Sequence, residues 1–405
     1  MPDDVFRNKK IILGVTGCIA AYKACYLTRE LKSRGADVRV VMTPSALQFV
    51  APLTFSTLSG NPVVVNIFPE SQQNGAELTT WHIDYAQWAD LILVAPATIN
   101  TIAKIVHGFA DNALTTLVAA ARSPVIVSPA ADVDMYLNKV TTENINKLEQ
   151  LGYFVVHAEE GELASGLSGI GRMPGISKII DAAELVLLGI KKDLTGKKIL
   201  VTAGPTYEDI DPVRYIGNRS SGKMGYKIAN AAFLRGADVT LISGPSNETA
   251  YPEVKLIKVR SAAEMKNAVT KELKQNDILI MSAAVADYKP AGTSSKKINK
   301  EDKLGSVKLT LTEDILSSIK KENKKIIGFA LETNNEEKNA LKKLKEKNLD
   351  MIVLNSLKDK ESGFEYDTNK IVIFNKSGKK KSFPLQSKFR TANNILTEIT
   401  KLGES

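Results

Sequence analysis

The sequence is poor in cysteine and has no long hydrophobic run, and each shortage excludes a class of protein. Its 405 residues include two cysteines, Cys18 and Cys25, whose seven-residue spacing in one predicted helix suits neither a metal site nor a redox pair. We therefore expect a reduced, cytoplasmic protein. The longest apolar run, Leu91 to Ala95, fits a buried strand rather than a membrane span. The N-terminal MPDDVFRNKK has no apolar signal core, so we expect no export.

Length and composition predict a globular chain of two domains. Hydrophobic residues make up 43% of the chain and charged residues 24%, which is ordinary for globular proteins. A chain of 405 residues is long enough for two domains that each bury a core. A short polar segment at 191–196 is the predicted linker, so the predicted domains are residues 1–190 and 191–405.

The net charge of +9 is divided unevenly between these halves. Residues 1–190 contain 14 Lys and Arg against 18 Asp and Glu, whereas residues 191–405 contain 40 against 27. Surface lysines account for much of the excess in the second half. We expect no nucleic-acid partner, because aromatic residues do not interleave with the basic runs. Anionic small substrates explain the asymmetry at least as well.

Each half begins with the same order of elements. A strand, a glycine loop and a helix precede the five letters RGADV, which occupy residues 34–38 and again residues 235–239. In both places the glycine closes the helix and a new strand follows. Repeated βαβ units of this kind favour parallel sheets with helices packed on them. The sequence therefore predicts an α/β fold with two parallel-sheet, three-layer domains.

The central stretch, residues 198–225, combines a predicted strand, a polar loop and the start of a helix. Glycines and hydroxyls at a helix start present backbone N–H groups to phosphate. The glycine spacing around Lys223 is not that of a P-loop. The glycines alone fit equally well a βα turn that needs unusual backbone angles. Cationic, amide and hydroxyl side chains in the same loop favour an anion site: Arg214, Asn218, Arg219, Ser220 and Lys223.

Polar residues in the first half follow predicted strands, at the edge where parallel sheets bind ligands. Gly14 to Gly17 ends the first strand and is fit for one phosphate group. The other residues at such strand ends are Thr43, Thr98, Asn100 and Thr101. His82 stands just before a helix that leads into the same sheet. A lone histidine is more often structural, so the residue pattern by itself leaves its role open.

Longer motifs in both halves resemble known enzyme families. In the first half, the motifs that resemble the FMN-dependent cysteine decarboxylases are GVTGCIAAYKA, HIDYAQWADLILVAPATINTIAK, ADNALTT, PAADVDMY and GELASGLSGIGRM. In the second half, the motifs that resemble phosphopantothenate–cysteine ligase are GPTYEDIDPVRYIGNRSSGKMG, SAAVADY and GFALETNN. In this order the chain resembles the bifunctional phosphopantothenoylcysteine decarboxylase/phosphopantothenate–cysteine ligase family of bacterial coenzyme A synthesis.

For the first half, the resemblance implies a flavodoxin-like domain that binds FMN. The FMN phosphate would lie at Gly14, Thr16 and Gly17, with further contacts from Thr43, Thr98, Asn100 and Thr101. The flavin would oxidise the substrate's cysteinyl thiol, so that the carboxylate leaves as CO₂, and would then return the electrons. His82 takes the position of the family's active-site histidine. Residues 161–173, with Arg172 and Met173, match the family's substrate clamp. The Gly- and Ser-rich stretch from Leu163 to Gly175 has little pattern of its own and is long enough for a flap.

Two positions depart from the commonest pattern of these decarboxylases. Asp132 stands where many members have Asn in the motif P-x-M-N-x-x-M, and an aspartate repels a substrate carboxylate unless it is protonated or bridged. Ser165 stands where many bacterial members have a proton-donating clamp cysteine, and serine is a far weaker acid. The departures indicate either an inactive decarboxylase or a lineage variant. We favour the variant because the other flavin and clamp motifs are intact.

For the second half, the resemblance implies a Rossmann-like ligase domain that uses CTP and Mg²⁺. CTP would activate the carboxylate of 4′-phosphopantothenate as an acyl-cytidylate, which the cysteine amine then attacks. Residues 291–303 are polar and lysine-rich, so we expect a mobile loop there. Lys297 in this loop matches the loop lysine that assists activation, and Asp287 is placed to read the cytosine base. The ligands of the metal stay unassigned. The other residues that match substrate or nucleotide positions are Arg214, Asn218, Ser220, Ala284, Phe329, Lys343 and Lys347, although a lysine-rich helix face explains the last two equally well.

The resemblance also implies partners and an assembly. The expected partners are three small molecules, 4′-phosphopantothenate, cysteine and CTP, with neither nucleic acid nor membrane. Family members pair their ligase domains and build the flavin site between subunits of a trimer. A large homo-oligomer is therefore expected, and this pattern is compatible with a dodecamer. The alternative is an active ligase whose first half binds flavin without catalysis, or regulates.

Overall fold

Uninterrupted apolar runs form the strands around which both halves fold. The computed structural model describes residues 4–68, 80–299, 305–332, 334–356 and 366–402. By its internal contacts, the chain forms two units, Met1–Ile190 and Lys191–Ser405. None of the described helices is both long enough and apolar enough to span a bilayer.

The first unit is built on a parallel sheet in the order β3-β2-β1-β4-β5-β6. Its middle strands are buried along almost their whole length, as strands are when both faces of a sheet are covered. The chain order reverses between β1 and β4, so the loops after these two strands diverge and leave a crevice. The strands are β1 (Lys10–Val15), β2 (Asp37–Met42), β3 (Val63–Val64), β4 (Leu91–Ala97), β5 (Val125–Pro129) and β6 (Phe154–Val155).

The helices of the first unit pack in two groups. In the first group, α1 contacts both α2 and α8. In the second group, α5 contacts α3 and α4, and α4 also contacts α7. Within the described residues the helices are α1 (Ala21–Ser33), α2 (Pro52–Ser59), α3 (Trp81–Trp88), α4 (Ile99–Val106), α5 (Ala113–Ala119), α6 (Val133–Leu137), α7 (Lys139–Gln150) and α8 (Ile176–Leu187).

Two predictions for the first unit are wrong in detail. Cys18 and Cys25 do not share a helix, because α1 begins at Ala21, after Cys18. Cys18 lies in the turn before the helix, and its carbonyl accepts from Ala21 N at 2.9 Å. The Gly- and Ser-rich segment after Leu163, predicted to have little pattern of its own, instead forms part of an antiparallel hairpin. The hairpin strands are β7 (Glu159–Glu162) and β8 (Ser168–Arg172).

The second unit is built on a mixed sheet in the order β13-β12-β9-β14-β17-β18-β19-β20. The strands up to β18 are parallel, but β19 and β20 are antiparallel, which corrects the expectation of a wholly parallel sheet. A tight turn joins β19 directly to β20, and tight turns produce antiparallel pairs. The strands are β9 (Lys198–Ala203), β12 (Asp238–Ser243), β13 (Lys255–Lys258), β14 (Ile278–Met281), β17 (Lys325–Glu332), β18 (Met351–Ser356), β19 (Thr368–Asn375) and β20 (Lys380–Ser387).

Helices and two short hairpins surround this sheet. Helix α9 (Lys223–Leu234) packs against α13 (Lys388–Thr400). Side chains of α10 (Ala262–Glu272), α11 (Ile315–Ser318) and α12 (Glu336–Glu346) share one apolar cluster. The hairpins pair β10 (Tyr207–Asp209) with β11 (Tyr215–Gly217), and β15 (Tyr288–Pro290) with β16 (Leu309–Leu311). The predicted lysine-rich loop 291–303 is described up to residue 299, and its remainder lies outside the described residues.

Candidate functional site

Thr16 joins the carboxyl ends of β1 and β4 in the first unit. Its side chain is buried, and its hydroxyl donates to the Pro96 carbonyl at 2.8 Å while accepting from the Thr98 N–H at 2.9 Å. A hydroxyl can serve two strand ends in this way because it is both donor and acceptor. The loop after β1 and the start of α4 are thus fixed side by side.

Gly17 and Thr43 meet around Ser45, next to this junction. The Thr43 and Ser45 hydroxyls lie 3.2 Å apart. A Cβ on Gly17 would stand 2.5 Å from Ser45 Oγ, so only glycine lets these two loops approach. Gly14 has another role, because it lies inside β1 and its missing side chain makes room for Leu114.

The first turn of α4 carries the other predicted flavin residues. Thr98 is the N-cap and accepts from Thr101 N at 3.4 Å, and its hydroxyl donates to Thr101 Oγ1 at 3.1 Å. Asn100 is exposed in the same turn. Five of the seven predicted flavin residues, all except Gly14 and Asn100, are therefore linked by contacts at the crevice.

His82 is the second residue of α3 rather than a residue before the helix. Its ring lies edge-on to the indole of Trp81, with the ring centroids 5.9 Å apart. The indole N–H donates to the Ile67 carbonyl at 2.7 Å, which fixes the start of α3. Residues 69–79, just before this helix, are outside the described part of the chain.

The two departures from the family pattern lie at different parts of the β7–β8 hairpin. Ser165 is exposed in the turn, where its hydroxyl accepts from Leu167 N at 3.4 Å. Asp132 is the N-cap of α6. It lies near the base of the hairpin, since the N–H of the adjacent Ala131 donates to the Gly171 carbonyl at 3.0 Å.

A lysine that the sequence analysis missed contacts the end of the clamp, residues 161–173, from α1. Lys23 donates to the Met173 carbonyl at 3.0 Å, which ties α1 to the residue after β8. Burial lowers the pKa of Lys23, and the nearby Arg172 guanidinium lowers it further, while Glu159 opposes both. Lys23 lies in an ordinary amphipathic helix, so no sequence signal separated it from a surface lysine.

A pocket of about 800 Å³ gathers most of the predicted residues of the second unit. Its lining includes residues at the carboxyl ends of β14, β17 and β18 and at the start of α9. Among the described residues, no group of three or more His, Cys, Asp or Glu is arranged to hold a metal ion. Seven predicted residues line the pocket: Asn218, Ser220, Ala284, Asp287, Phe329, Lys343 and Lys347.

Asn218 fixes the backbone on one side of this pocket. Its amide nitrogen donates to the carbonyls of Ala284 at 3.1 Å and Val285 at 3.0 Å. Thr206 also holds this segment, since its hydroxyl accepts from Ala286 N at 2.9 Å. Together these contacts place the loop after β14 against the loop after β9.

Lys343 lies next to Phe329, and its charge interacts with that of Asp287. Lys343 donates to the Phe329 carbonyl at 2.8 Å. Burial lowers the pKa of Lys343, and Lys347 adds to this effect, whereas Asp287 and two other carboxylates oppose it. Lys347 contacts Asp314 and donates to Ser317 Oγ at 2.8 Å. This side of the pocket therefore combines two lysines with a carboxylate, an aromatic ring and a backbone edge.

Arg214 and Lys297 are outside the set of residues that line the pocket. Arg214 contacts Asp211 and donates to the Ile298 carbonyl at 2.5 Å. Asp211 is buried and accepts from Ile298 N at 3.1 Å. The Arg214 guanidinium holds the pKa of Asp211 well below its usual range. Arg214 and Asp211 thus anchor the loop on which the exposed Lys297 lies.

The pocket also contains residues that the sequence analysis did not select as site residues. Lys223 was noted only as part of a basic loop, and Lys388 carried no signal because it lies in a lysine-rich region. Asp314, Asn355 and Asn369 come from three further segments that only the fold brings together.

Comparison with known proteins places the two units in defined families. Residues 3–187 match the family model described as Flavoprotein. Residues 194–402 match the model described as DNA/pantothenate metabolism flavoprotein C-terminal domain. The second match covers about half of the chain by itself.

The curated relatives are similar over the whole chain. The coenzyme A biosynthesis bifunctional protein CoaBC of Bacillus subtilis (strain 168) is 44% identical over 404 residues, which cover 99% of this chain and 98% of that protein. The protein of the same name from Escherichia coli (strain K12) is 41% identical over 398 residues, which cover 97% of each chain.

A solved structure of the C-terminal domain of a CoaBC protein is 42% identical to the matched part of this chain. It covers 51% of this chain and 95% of its own length, with a TM-score of 0.44. By its two family matches and its full-length relatives, the chain belongs to the family of coenzyme A biosynthesis bifunctional proteins and is an enzyme of that biosynthesis with decarboxylase and ligase activities.

Proposed function

We propose that the second unit condenses 4′-phosphopantothenate with cysteine in a CTP-dependent reaction, and that the first unit decarboxylates the product with FMN. One observation carries the ligase assignment: a single 800 Å³ pocket combines a carboxylate, an aromatic ring and several lysines. A nucleotide needs this combination, since its base is polar and flat and its phosphates are anionic.

The ligase step requires stabilisation of the charge that builds on the leaving pyrophosphate. Lys343 and Lys347 supply two cations at one side of the pocket, and Lys297 supplies a third from its loop. Asp287 accepts a hydrogen bond from the exocyclic amine of cytosine, which favours CTP over a nucleotide with another base edge. Asn218 holds the Ala284–Val285 backbone, against which the acyl group lies in this proposal. Arg214 acts on the same step by holding the Lys297 loop.

Mg²⁺ enters this proposal with the triphosphate of CTP. Magnesium is usually bound by substrate phosphates together with one or two carboxylates. Asp314 lines the pocket beside Lys347 and offers one such carboxylate. The finer assignments of CTP and Mg²⁺ rest on this chemistry and on the resemblance of the motifs.

The first unit fits FMN at the crevice after β1 and β4. The side-chain-free backbone of Gly17, which lets the loop after β1 approach Ser45, and the hydroxyls of Thr16, Thr43, Thr98 and Thr101 suit the phosphate end of the cofactor. Asn100, exposed in the first turn of α4, offers an amide to the same ligand. When bound, FMN supplies a reversible two-electron oxidation of the substrate thiol.

The side chains of this unit orient the substrate and move protons. In this proposal His82 transfers a proton to or from the substrate. Arg172, the last residue of β8, and Met173, which follows it, contact the substrate in this proposal. Asp132 and Ser165 favour a second candidate, a first unit that binds flavin without catalysis, because Ser165 is exposed and is a weak acid.

The experiment that tests the proposal supplies 4′-phosphopantothenate, cysteine and CTP to the purified chain and follows the products by mass spectrometry. The dipeptide-like product 4′-phosphopantothenoylcysteine followed by loss of CO₂ supports both activities. Accumulation of that product without CO₂ release supports the second candidate. Absence of the product with both CTP and ATP contradicts the proposed ligase.

Assembly and location belong to the same proposal. We expect a homo-oligomer with a trimeric decarboxylase core and paired ligase units, in the cytoplasm. Static light scattering of the full chain checks the assembly, and a monomer at micromolar concentration contradicts it.

A further inference from the structure

The β7–β8 hairpin of the first unit stands at the carboxyl edge of its sheet. The Ala130 N–H donates to the Ala97 carbonyl, at the end of β4, at 3.0 Å. The next residue, Ala131, donates to the Gly171 carbonyl of β8 at 3.0 Å. A Cβ on Gly171 would stand 2.3 Å from the Ala131 carbonyl oxygen, so the two segments touch without an intervening side chain. The base of the hairpin, defined as residues 159 and 171–173, is therefore fixed to the loop after β5 through Gly171.

Charged side chains of two helices also hold this base. Lys23, in the first turn of α1, donates to the Met173 carbonyl at 3.0 Å. Glu159, the first residue of β7, accepts through Oε2 from the N–H of Gly175, the N-cap of α8, at 3.3 Å. Its other oxygen, Oε1, lies 3.7 Å from Nζ of Lys178 in the first turn of α8. Helices α1 and α8 contact each other, so both ends of the hairpin are tied to one helical support.

The charge of Glu159 acts on a lysine of each helix. Its side chain is 16% exposed and that of Lys178 is 2% exposed, so little water screens this pair. Burial lowers the pKa of Lys23 and Arg172 adds to this effect, whereas Glu159 opposes both. Arg172 is the residue that pairs with Glu159 across the hairpin. Without the Glu159 carboxylate, the repulsion between Arg172 on the hairpin and Lys23 on α1 is no longer offset.

The tip of the hairpin, residues 163–167, is arranged differently. Residues 164–167 are exposed. Backbone bonds within the tip close it, from Leu163 N to the Leu167 carbonyl at 2.8 Å and from Gly166 N to the Leu163 carbonyl at 3.0 Å. Because local bonds give the tip its shape, the base decides the direction in which the hairpin projects. The groups that hold the base therefore determine where the hairpin residues lie.

We propose that Glu159 is a positioning residue of the decarboxylase, which acts together with Lys23 and Lys178 to hold the base of the β7–β8 hairpin. The inference rests on the proposed function for one point, that Arg172 and Met173 contact the substrate. A hairpin whose base is loose presents these two residues in many orientations, so substrate binding becomes weaker. The contacts given for the flavin crevice among the described residues do not involve Glu159, so FMN binding should be retained.

The test uses the full chain with two substitutions and a matched control. Glu159→Gln removes the charge and keeps the length of the side chain. Lys23→Met removes the tie to Met173 without touching the buried Lys178, so it keeps the proposal testable if Glu159→Gln does not fold. Glu160→Gln is the control, because Glu160 is the next residue of β7 and is exposed. Thermal unfolding and the flavin absorbance verify that each variant is folded and loaded.

Two readouts distinguish positioning from stability. Hydrogen–deuterium exchange followed by mass spectrometry reports on residues 129–133 and 170–176, which include the hydrogen-bonded amides at the base, and it needs no turnover. Decarboxylation of 4′-phosphopantothenoylcysteine gives KM and kcat separately. A variant that is only less stable has fewer active molecules, which lowers kcat and leaves KM unchanged.

We expect exchange at the base to be about 10-fold faster in Glu159→Gln than in the parent, and KM to be about 10-fold to 100-fold higher. Lys23→Met should change both quantities in the same direction, and Glu160→Gln should leave both as in the parent. The proposal is overturned if folded Glu159→Gln keeps the KM and exchange rates of Glu160→Gln, or if it loses stability and kcat with KM unchanged. Parent values of both quantities in Lys23→Met overturn it equally.

The same data separate this inference from the proposed function. A parent chain that releases no CO₂ contradicts the decarboxylase, and faster exchange in Glu159→Gln then still supports the anchored base. A parent chain that decarboxylates normally, with Glu159→Gln unchanged in KM and in exchange, retains the function and rejects the positioning role.

Discussion

Gly225→Ala tests whether close packing of α9 on the sheet sets the position of the ligase pocket. Gly225 lies in the first turn of α9, directly above β9. A Cβ at this position would stand 2.5 Å from Ala203 Cβ and 2.9 Å from the Thr202 carbonyl oxygen, where ordinary contact begins at 3.4 Å. The start of α9 therefore has to move away from β9 by about 1 Å. That start carries Gly222, Lys223 and Met224, which line the pocket.

The expected magnitudes follow from this displacement. Overpacking costs about 1–3 kcal/mol, and the better helix propensity of alanine offsets up to about 1 kcal/mol of that loss. A net loss of about 1–2 kcal/mol lowers the Tm of a unit of about 200 residues by about 2–8 °C. A misplacement of about 1 Å in a site can cost about 100-fold in rate. The variant should therefore lose far more activity than stability.

The assay measures pyrophosphate release from CTP together with thermal unfolding of the full chain. The matched control is Gly175→Ala in the first unit, where a Cβ would meet only Ser177 Oγ, at 3.9 Å. We expect this control to keep both ligase rate and Tm. If Gly225→Ala ligates within twofold of the parent, the close approach of α9 and β9 does not determine the geometry of the pocket and the reasoning is refuted.

The other predictions concern the FMN cofactor with His82, the Lys297 loop, the pH dependence caused by Lys388, and the role of Ser165. The purified chain should be yellow with bound FMN, and His82→Asn should keep the absorbance spectrum but lose CO₂ release; unchanged decarboxylation rejects a catalytic His82. Lys297→Gln should slow pyrophosphate release while the flavin spectrum stays normal, and equal turnover of the parent with ATP contradicts base reading by Asp287. Burial and the repulsion from Lys223 lower the pKa of Lys388 to about 8. Lys388 lines the pocket and loses its proton as the pH rises through 8, so the KM for the anionic substrates of the ligase should rise there and stay flat in Lys388→Arg. Ser165→Ala should slow completion of the decarboxylase cycle in stopped-flow flavin spectra, and an unchanged rate makes Ser165 a spacer.

Most strands of both sheets were predictable because buried strands have apolar sequences. The strands β1, β4, β9 and β14 are short apolar runs bounded by glycine or polar turns, and such runs need no distant partner to be recognised. The edge strand β20 was not predicted, since its sequence KKSFPLQS is mostly polar and contains proline. Strand β20 is stabilised by its hydrogen bonds with β19. Backbone pairing with a neighbouring strand does not require an apolar local sequence, so the composition of β20 does not predict it.

The sequence by itself determined which loops are candidate sites. Glycines, threonines and amides after strands predict the crevice after β1 and β4 and the Asn218 loop, because parallel topology brings all strand ends to one edge. Only the tertiary structure decided what each of those residues does. Gly14 gives space to Leu114, Arg214 anchors the Lys297 loop, and Lys388 reaches the pocket from a helix 165 positions beyond Lys223. The physical reason is that burial and charge proximity depend on neighbours in space, so a lysine on a solvated helix face and a lysine in an anion pocket share the same local sequence pattern.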